Sequence, residues 1–147
     1  MELEKVRSWL EEMNLKFEEG KDILVIPYES TLIAVREVQW REGRSIVEIV
    51  ATVAVDVKES LELFKFLMAK NAEIPFGKFV YVENGVDALP TIYFAHSLLA
   101  EKLDKEEFEA ALTTVMGFSD EYDEKVAELG GGKTYREYVR ERAGGVR

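Results

Sequence analysis

One stretch of this chain imitates a nucleotide site: Ala127-Glu128-Leu129-Gly130-Gly131-Gly132-Lys133-Thr134. It ends in the Gly-Lys-Thr of a phosphate-binding loop, where backbone amides cradle phosphates while lysine and hydroxyl reach phosphate and Mg²⁺. Such a loop follows a buried parallel strand and opens a helix. Here an acidic, helix-patterned stretch precedes it, Ala127 stands where the first glycine belongs, and too few residues follow to complete a nucleotide fold. Glycine ends helices by taking the left-handed conformation, so Gly130 to Thr134 is expected to be a helix stop. His96 is the only histidine and there is no cysteine, so histidine-pair metal sites and Cys–His dyads are out of reach. A Ser-His-Asp triad would need its serine on a Gly-x-Ser-x-Gly elbow, which is missing. Ser97 would point away from His96 on a strand. Asp104, Glu106, Glu107 and Glu109 form one acidic cluster, and Asp120, Glu121, Asp123 and Glu124 a second. Carboxylate pairs can hold Mg²⁺ or move protons. The first cluster, however, sits where a helix N-terminus favours acids, and the second lies on the polar side of the same helix. These residues lead to the expectation of a non-enzyme with no catalytic residue, no metal and no cofactor.

The elements that carry these residues follow from periodicity. Leu3, Val6, Leu10, Met13 and Phe17 recur at three- and four-residue steps, which predicts an amphipathic helix ending at Gly20-Lys21-Asp22. Ile23 to Tyr28, Leu32 to Trp40 and Ile46 to Val57 read as three strands of a meander, with Gly43 in the turn between the last two. Helical spacing returns at Lys58. Leu61, Phe64, Leu67 and Met68 make one apolar face, and Leu63 and Phe66 widen it beyond a single stripe. Strands at Phe79 to Val82 and Thr91 to Ala95 flank Asn84-Gly85. Asp104 then caps a long helix carrying Phe108, Ala111, Leu112, Val115, Met116, Tyr122 and Val126, and Thr134 to Ala143 reads as a short separate helix. The order α-β-β-β-α-β-β-α with an added C-terminal helix indicates an α+β fold with an antiparallel sheet. The domain is expected to span residues 1–132, with residues 133–147 a basic helical tail. The third strand has apolar residues on both faces, Val50 and Val53 among them, so either the last helix or a partner must cover its second face.

A length of 147 residues suits one domain with a cooperative core, and 47% hydrophobic with 33% charged residues is a globular composition. A net charge of −10 argues against a general nucleic-acid or anionic-membrane binder, both of which need a positive surface. No apolar run spans a bilayer, and the acidic N-terminus is unlike a signal peptide, so a cytoplasmic location is expected. Abundant Glu and Lys, with a single Gln, resemble a thermophile's composition. After the glycine run Lys133, Arg136, Arg140, Arg142 and Arg147 outnumber Glu137 and Glu141. That tail is either a solvated helix with internal ion pairs or a segment that docks on an acidic surface, the body included.

The stretch Leu67 to Phe79, with Asn71-Ala72-Glu73-Ile74-Pro75-Phe76-Gly77 at its centre, resembles the type III secretion chaperone-like superfamily, in particular its YbjN-related branch. Leu103 to Phe108, Ser119-Asp120-Glu121-Tyr122-Asp123 and Leu129-Gly130-Gly131 extend the likeness. The resemblance implies a non-catalytic domain that dimerises and holds segments of client polypeptide in extended form. It thereby implies a polypeptide partner and a homodimer; the alternative is a structural or regulatory domain that binds one dedicated partner without chaperone activity, and the third reading is a small hydrolase or nucleotide-binding protein. Combined with the wide apolar arc and the doubly apolar strand, it leads to Leu63, Phe66, Leu67, Val50 and Val53 as the expected partner-binding residues.

Overall fold

The computed structural model describes residues 2–28 and 30–145; Arg147 of the basic tail lies outside them. Helix α1 (Glu2–Glu12) turns Leu3, Val6 and Leu10 to the interior. It is shorter than its periodicity suggests. Asn14 takes a φ of 59°, and the Leu15 and Asn14 amides donate back to the Leu10 and Glu11 carbonyls at 3.1 and 3.0 Å. That pair of bonds is a Schellman closure built on asparagine, one of the few residues besides glycine that enters the left-handed region readily. Phe17 therefore lies outside the helix, and the next residues form a short strand, β1 (Glu18–Gly20).

The expected meander is present as β2 (Ile23–Tyr28), β3 (Thr31–Arg41) and β4 (Arg44–Val55), with Gly43 at φ 71° in the last turn. Helix α2 (Leu61–Glu73) starts at Ser60, whose hydroxyl accepts from the Leu63 amide at 3.0 Å. Strands β5 (Lys78–Val82) and β6 (Thr91–Leu99) follow, the second running four residues past Ala95. Helix α3 (Lys105–Gly130) is capped by Asp104, which accepts from the Glu107 amide at 2.8 Å. Strand β7 (Lys133–Thr134) and helix α4 (Tyr135–Gly145) close the chain. The fold is thus α+β with an antiparallel sheet, ordered β1-β2-β3-β4-β6-β5, while β7 pairs with the end of β4.

Register separates the two faces of the sheet. Phe79, Phe94, Ala51, Ile33 and Ile26 stand opposite one another across five strands, and all are buried. Above this row lie the helices. Phe94 meets Phe118 of α3 at 5.3 Å, Phe79 meets Tyr122 at 5.8 Å, and Trp9 of α1 meets Phe108 at 5.7 Å between ring centroids. The neighbouring row, Lys78, Ala95, Val50, Ala34 and Val25, has its side chains on the opposite face because strand side chains alternate.

Helix α2 corrects the sequence expectation about its own orientation. Leu63 and Leu67 are 0% and 6% exposed, while Leu61 and Met68 are 71% and 69% exposed. The helix lies against β5 and α3, so its inner stripe is Leu63, Phe66, Leu67 and Lys70, rotated from the stripe that spacing alone suggested. A helix apolar nearly all round satisfies the three- and four-residue pattern for more than one stripe. Val53 is corrected too: it sits where the β4–β6 register shifts between Thr52 and Ala54, fully buried.

The basic segment after Gly132 is joined to the body. Thr134 and Lys133 pair with Ala54 and Val55. Asp87 in the turn before β6 receives both the Tyr138 hydroxyl and the Arg142 guanidinium, and Lys133 pairs with Glu141. Arg142 thus follows the docking alternative. None of the described residues of α4 belongs to the hydrophobic core.

Candidate functional site

The glycine-rich stretch is a helix stop followed by a strand. Gly131 takes φ 62°, and the Gly132 amide reaches back to the Ala127 carbonyl at 2.9 Å. A side chain on Gly132 would meet the Val55 carbonyl oxygen at 2.5 Å, so glycine is needed for β7 to approach β4. Lys133 is engaged by Glu141. Thr134 and Glu137 form a reciprocal capping box for α4: the Thr134 amide donates to Glu137 at 3.0 Å and the Glu137 amide donates to the Thr134 hydroxyl at 3.2 Å. The Thr-x-x-Glu spacing was legible in the sequence as a cap.

His96 stacks on Phe76 with ring centroids 3.7 Å apart and planes 19° from parallel. Burial pushes its pKa below the ordinary histidine value, with Glu107 opposing. Ser97 lies exposed on the other face, as strand alternation requires. The chemistry of the Asn71-to-Gly77 stretch is likewise structural. Asn71 accepts from the Phe79 amide at 2.7 Å and donates to the Phe79 carbonyl at 3.2 Å. Strand β5 is the sheet's edge, so Phe79's outward-pointing backbone groups are already taken by a side chain. Gly77, at φ 77°, passes so close to Phe94 that a side chain there would meet its ring at 2.7 Å.

Of the five expected partner-binding residues, Leu63, Leu67 and Val53 are interior, and Phe66 is half-buried against Tyr122 at 6.4 Å. Val50 alone stands on the other face of the sheet, half-buried, and α4 also packs against β3 and β4. Around it, on the face opposite α3, lie Val25, Ala34, Tyr93 and Val80, all half-buried. Farther up the same face are Val38, Ile46 and Leu99, opposite one another in register, with Leu99 58% exposed. Arg36 and Glu48 cross the middle of this surface as an ion pair at 2.8 Å. No ring contact or hydrogen bond among the described residues joins α1, α2 or α3 to it. The result is a broad, largely apolar sheet face on a strongly acidic protein, with its charges nearly balanced. The sequence carried the signal in the alternation of Val25, Ala34 and Val50. Assigning those residues to one face required the register.

Residues 5–138 match the family described as T3SS (YopN, CesT) and YbjN peptide-binding chaperone 1. The chain belongs to this family. Among solved structures, this TY-Chap1 chain is similar to the crystal structure of YbjN from E. coli, a candidate transcription regulator, with a TM-score of 0.62 and 18% identity over 87% of each chain. It is also similar to an uncharacterized protein from Methanothermobacter thermautotrophicus, with a TM-score of 0.53 and 14% identity over 88% of this chain and 99% of that one. These likenesses establish the fold. No curated protein matches the chain by sequence. The TY-Chap1 family is one of peptide-binding chaperones, and among the described residues no helix is long and apolar enough to cross a membrane.

Proposed function

We propose that this chain is a non-catalytic, chaperone-like module that holds an unfolded segment of another polypeptide against its open sheet face. The observation that carries the reading is the row Ala95, Val50, Ala34 and Val25, which lies outside the helical layer. Ala95 is buried and Val25, Ala34 and Val50 are half-buried, while Leu99 on the same face is 58% exposed, and exposed apolar surface marks interaction sites. Strand addition at an edge suits the molecule less well. Asn71 occupies the backbone of β5 at Phe79, and the other edge is the three-residue β1 with Glu18 and Glu19, a short charged border of the sort that resists pairing. Contact through side chains of the face, without chemistry on the client, is the mechanism.

The test uses suppression of light scattering from a reduced, unfolding model protein. Val50→Lys places a charge at the centre of the face, where a long side chain keeps its head in water and the fold intact. It is expected to weaken suppression by about tenfold, the effect of losing one anchoring apolar contact. The double variant Leu61→Ser, Met68→Gln is expected to behave as wild type. Full activity of Val50→Lys overturns the reading.

A homodimer through the same face is the second reading. Under two-fold symmetry Arg36 of one copy meets Glu48 of the other, so the central ion pair is self-complementary. A mass measured by light scattering decides it. A dimer that Val50→Lys splits into folded monomers supports that reading, and a wild-type monomer removes it.

A further inference from the structure

Helix α4 lies where the open face ends, and register shows on which side it runs. Ala54 pairs with Ile92 and with Thr134, and Ile92 alternates in step with Phe94, beneath the helices. The next pairs along, Val55 with Thr91 and with Lys133, therefore have their side chains on the opposite face, together with Tyr93 and Ala95. Lys133 is engaged there by Glu141 of α4, and α4 packs against β3 and β4. Burial follows the same line. On that face Thr91, Val55 and Thr52 are buried, whereas Val50 and Ile46 are half-buried and Leu99 is largely exposed. The face is closed at the β7 end, where α4 passes, and open at the other.

This cover is lightly held. Among residues 135–143 only Tyr135 and Tyr138 are half-buried, and the others are exposed. Its far attachment is Asp87, which receives the Tyr138 hydroxyl and the Arg142 guanidinium, while Arg142 also donates to the Tyr138 hydroxyl at 3.1 Å. Asp87 and Ala88 take φ of 50° and 63°, and alanine has no side chain to compensate for a left-handed backbone. The turn is held in that form by buried Thr91: the Val86 amide donates to its hydroxyl at 3.0 Å, and the hydroxyl donates to the Leu89 carbonyl at 2.9 Å. Strained backbone persists where its surroundings over-determine it, and here it presents a carboxylate to α4. Exposed ion pairs contribute little net stability, so this contact can open without unfolding the core.

We propose that α4 is an autoinhibitory strap: latched at Asp87, it closes the β7 end of the client face, and it gives way when a client lies along the full length of β3, β4 and β6. The client face is that of the proposed function, and α4 adds its regulation. Strap and client use the same strip of sheet, so each weakens the other by the same factor. Apparent affinity for a client then falls with the fraction of molecules whose strap is open.

Two variants open the latch from opposite sides. Asp87→Asn removes the charge and keeps a residue that tolerates the left-handed turn. Arg142→Gln changes an exposed position on α4. Binding of a short fluorescein-labelled peptide alternating valine and threonine is followed by anisotropy, and α4 by hydrogen exchange of Tyr135–Gly145. Each variant is expected to speed exchange of α4 and to bind the peptide about fivefold more tightly than wild type, with the double variant close to either single one. Saturating peptide should also speed α4 exchange in wild type. Faster exchange in the variants with peptide binding unchanged or weaker overturns the strap. Slower α4 exchange on peptide binding overturns it as well, since α4 would then be part of the site. Undisturbed exchange in both variants overturns the latch and the proposal with it. Val50→Lys keeps the failures apart. Peptide binding that Val50→Lys leaves intact, or a peptide that binds neither wild type nor Asp87→Asn, overturns the open-face reading and the strap together. Binding that Val50→Lys abolishes and Asp87→Asn does not move overturns the strap alone.

Discussion

Asn71 shows how one side chain can settle what an entire sheet edge does. An edge strand offers unpaired amides and carbonyls to any passing chain. By taking both backbone groups of Phe79, Asn71 ties the end of α2 to β5 and imitates a neighbouring strand at that point. Replacing it with alanine leaves two partly buried polar groups unpaired, at a cost of about 1–3 kcal/mol. Urea unfolding of Asn71→Ala should show that loss. Concentration-dependent association should rise at the same time, because the edge is then open. A variant as stable and as monodisperse as wild type would mean that the pair of bonds contributes nothing.

For the elements, the informative case is α2. Its apolar residues encircle most of the helix, and the contacts with β5 and α3 select which of them are interior. Leu63→Ala, at a fully buried site, should cost about 2–5 kcal/mol. Leu61→Ser, at a position 71% exposed, should stay within about 0.5 kcal/mol of wild type. Chemical denaturation of the two variants compares them directly. The opposite ranking would reverse the orientation of the helix. Phe66→Glu is expected to destabilise the monomer, since Phe66 meets Tyr122 and carries the Lys70 ammonium 5.7 Å from its ring.

Across the whole molecule, the contrast lies between a core held by apolar packing and a terminal helix held by polar contacts. Helix α4 is fastened by Asp87, by the Lys133–Glu141 pair and by the Thr134 cap, with no described residue in the core. Salt screens exposed ion pairs strongly: the Debye length falls to about 3 Å at 1 M. Hydrogen exchange of Tyr135–Gly145 should therefore accelerate at about 1 M salt while the amides of β4 and β6 stay protected. Uniform exchange across both regions would show that α4 is part of the cooperative core.

Local signals in the chain were enough for several conclusions, because each depends on residues close in sequence. Asp104 capping α3, Gly43 in its turn, the glycine stop after α3 and the absence of a histidine pair all belong to this class. The resemblance at Asn71 to Gly77 indicated the family for the same reason, since it marks a local helix-to-strand connection. Asn14's closure of α1 escaped periodicity, as Leu3 to Phe17 keeps an apolar spacing past the point where the backbone turns. Long-range pairing decided the rest. Which stripe of α2 faces inward depends on Tyr122 of α3, remote in sequence. Gathering Val25, Ala34, Val50 and Ala95 on one face depends on a register running through four strands, and a slip of one residue would turn each to the other side. Asp123 came to share a cavity with Arg136 and Arg140 only when β7 paired with the end of β4 and set the start of α4 beside α3, a placement that helix periodicity, local by nature, does not encode.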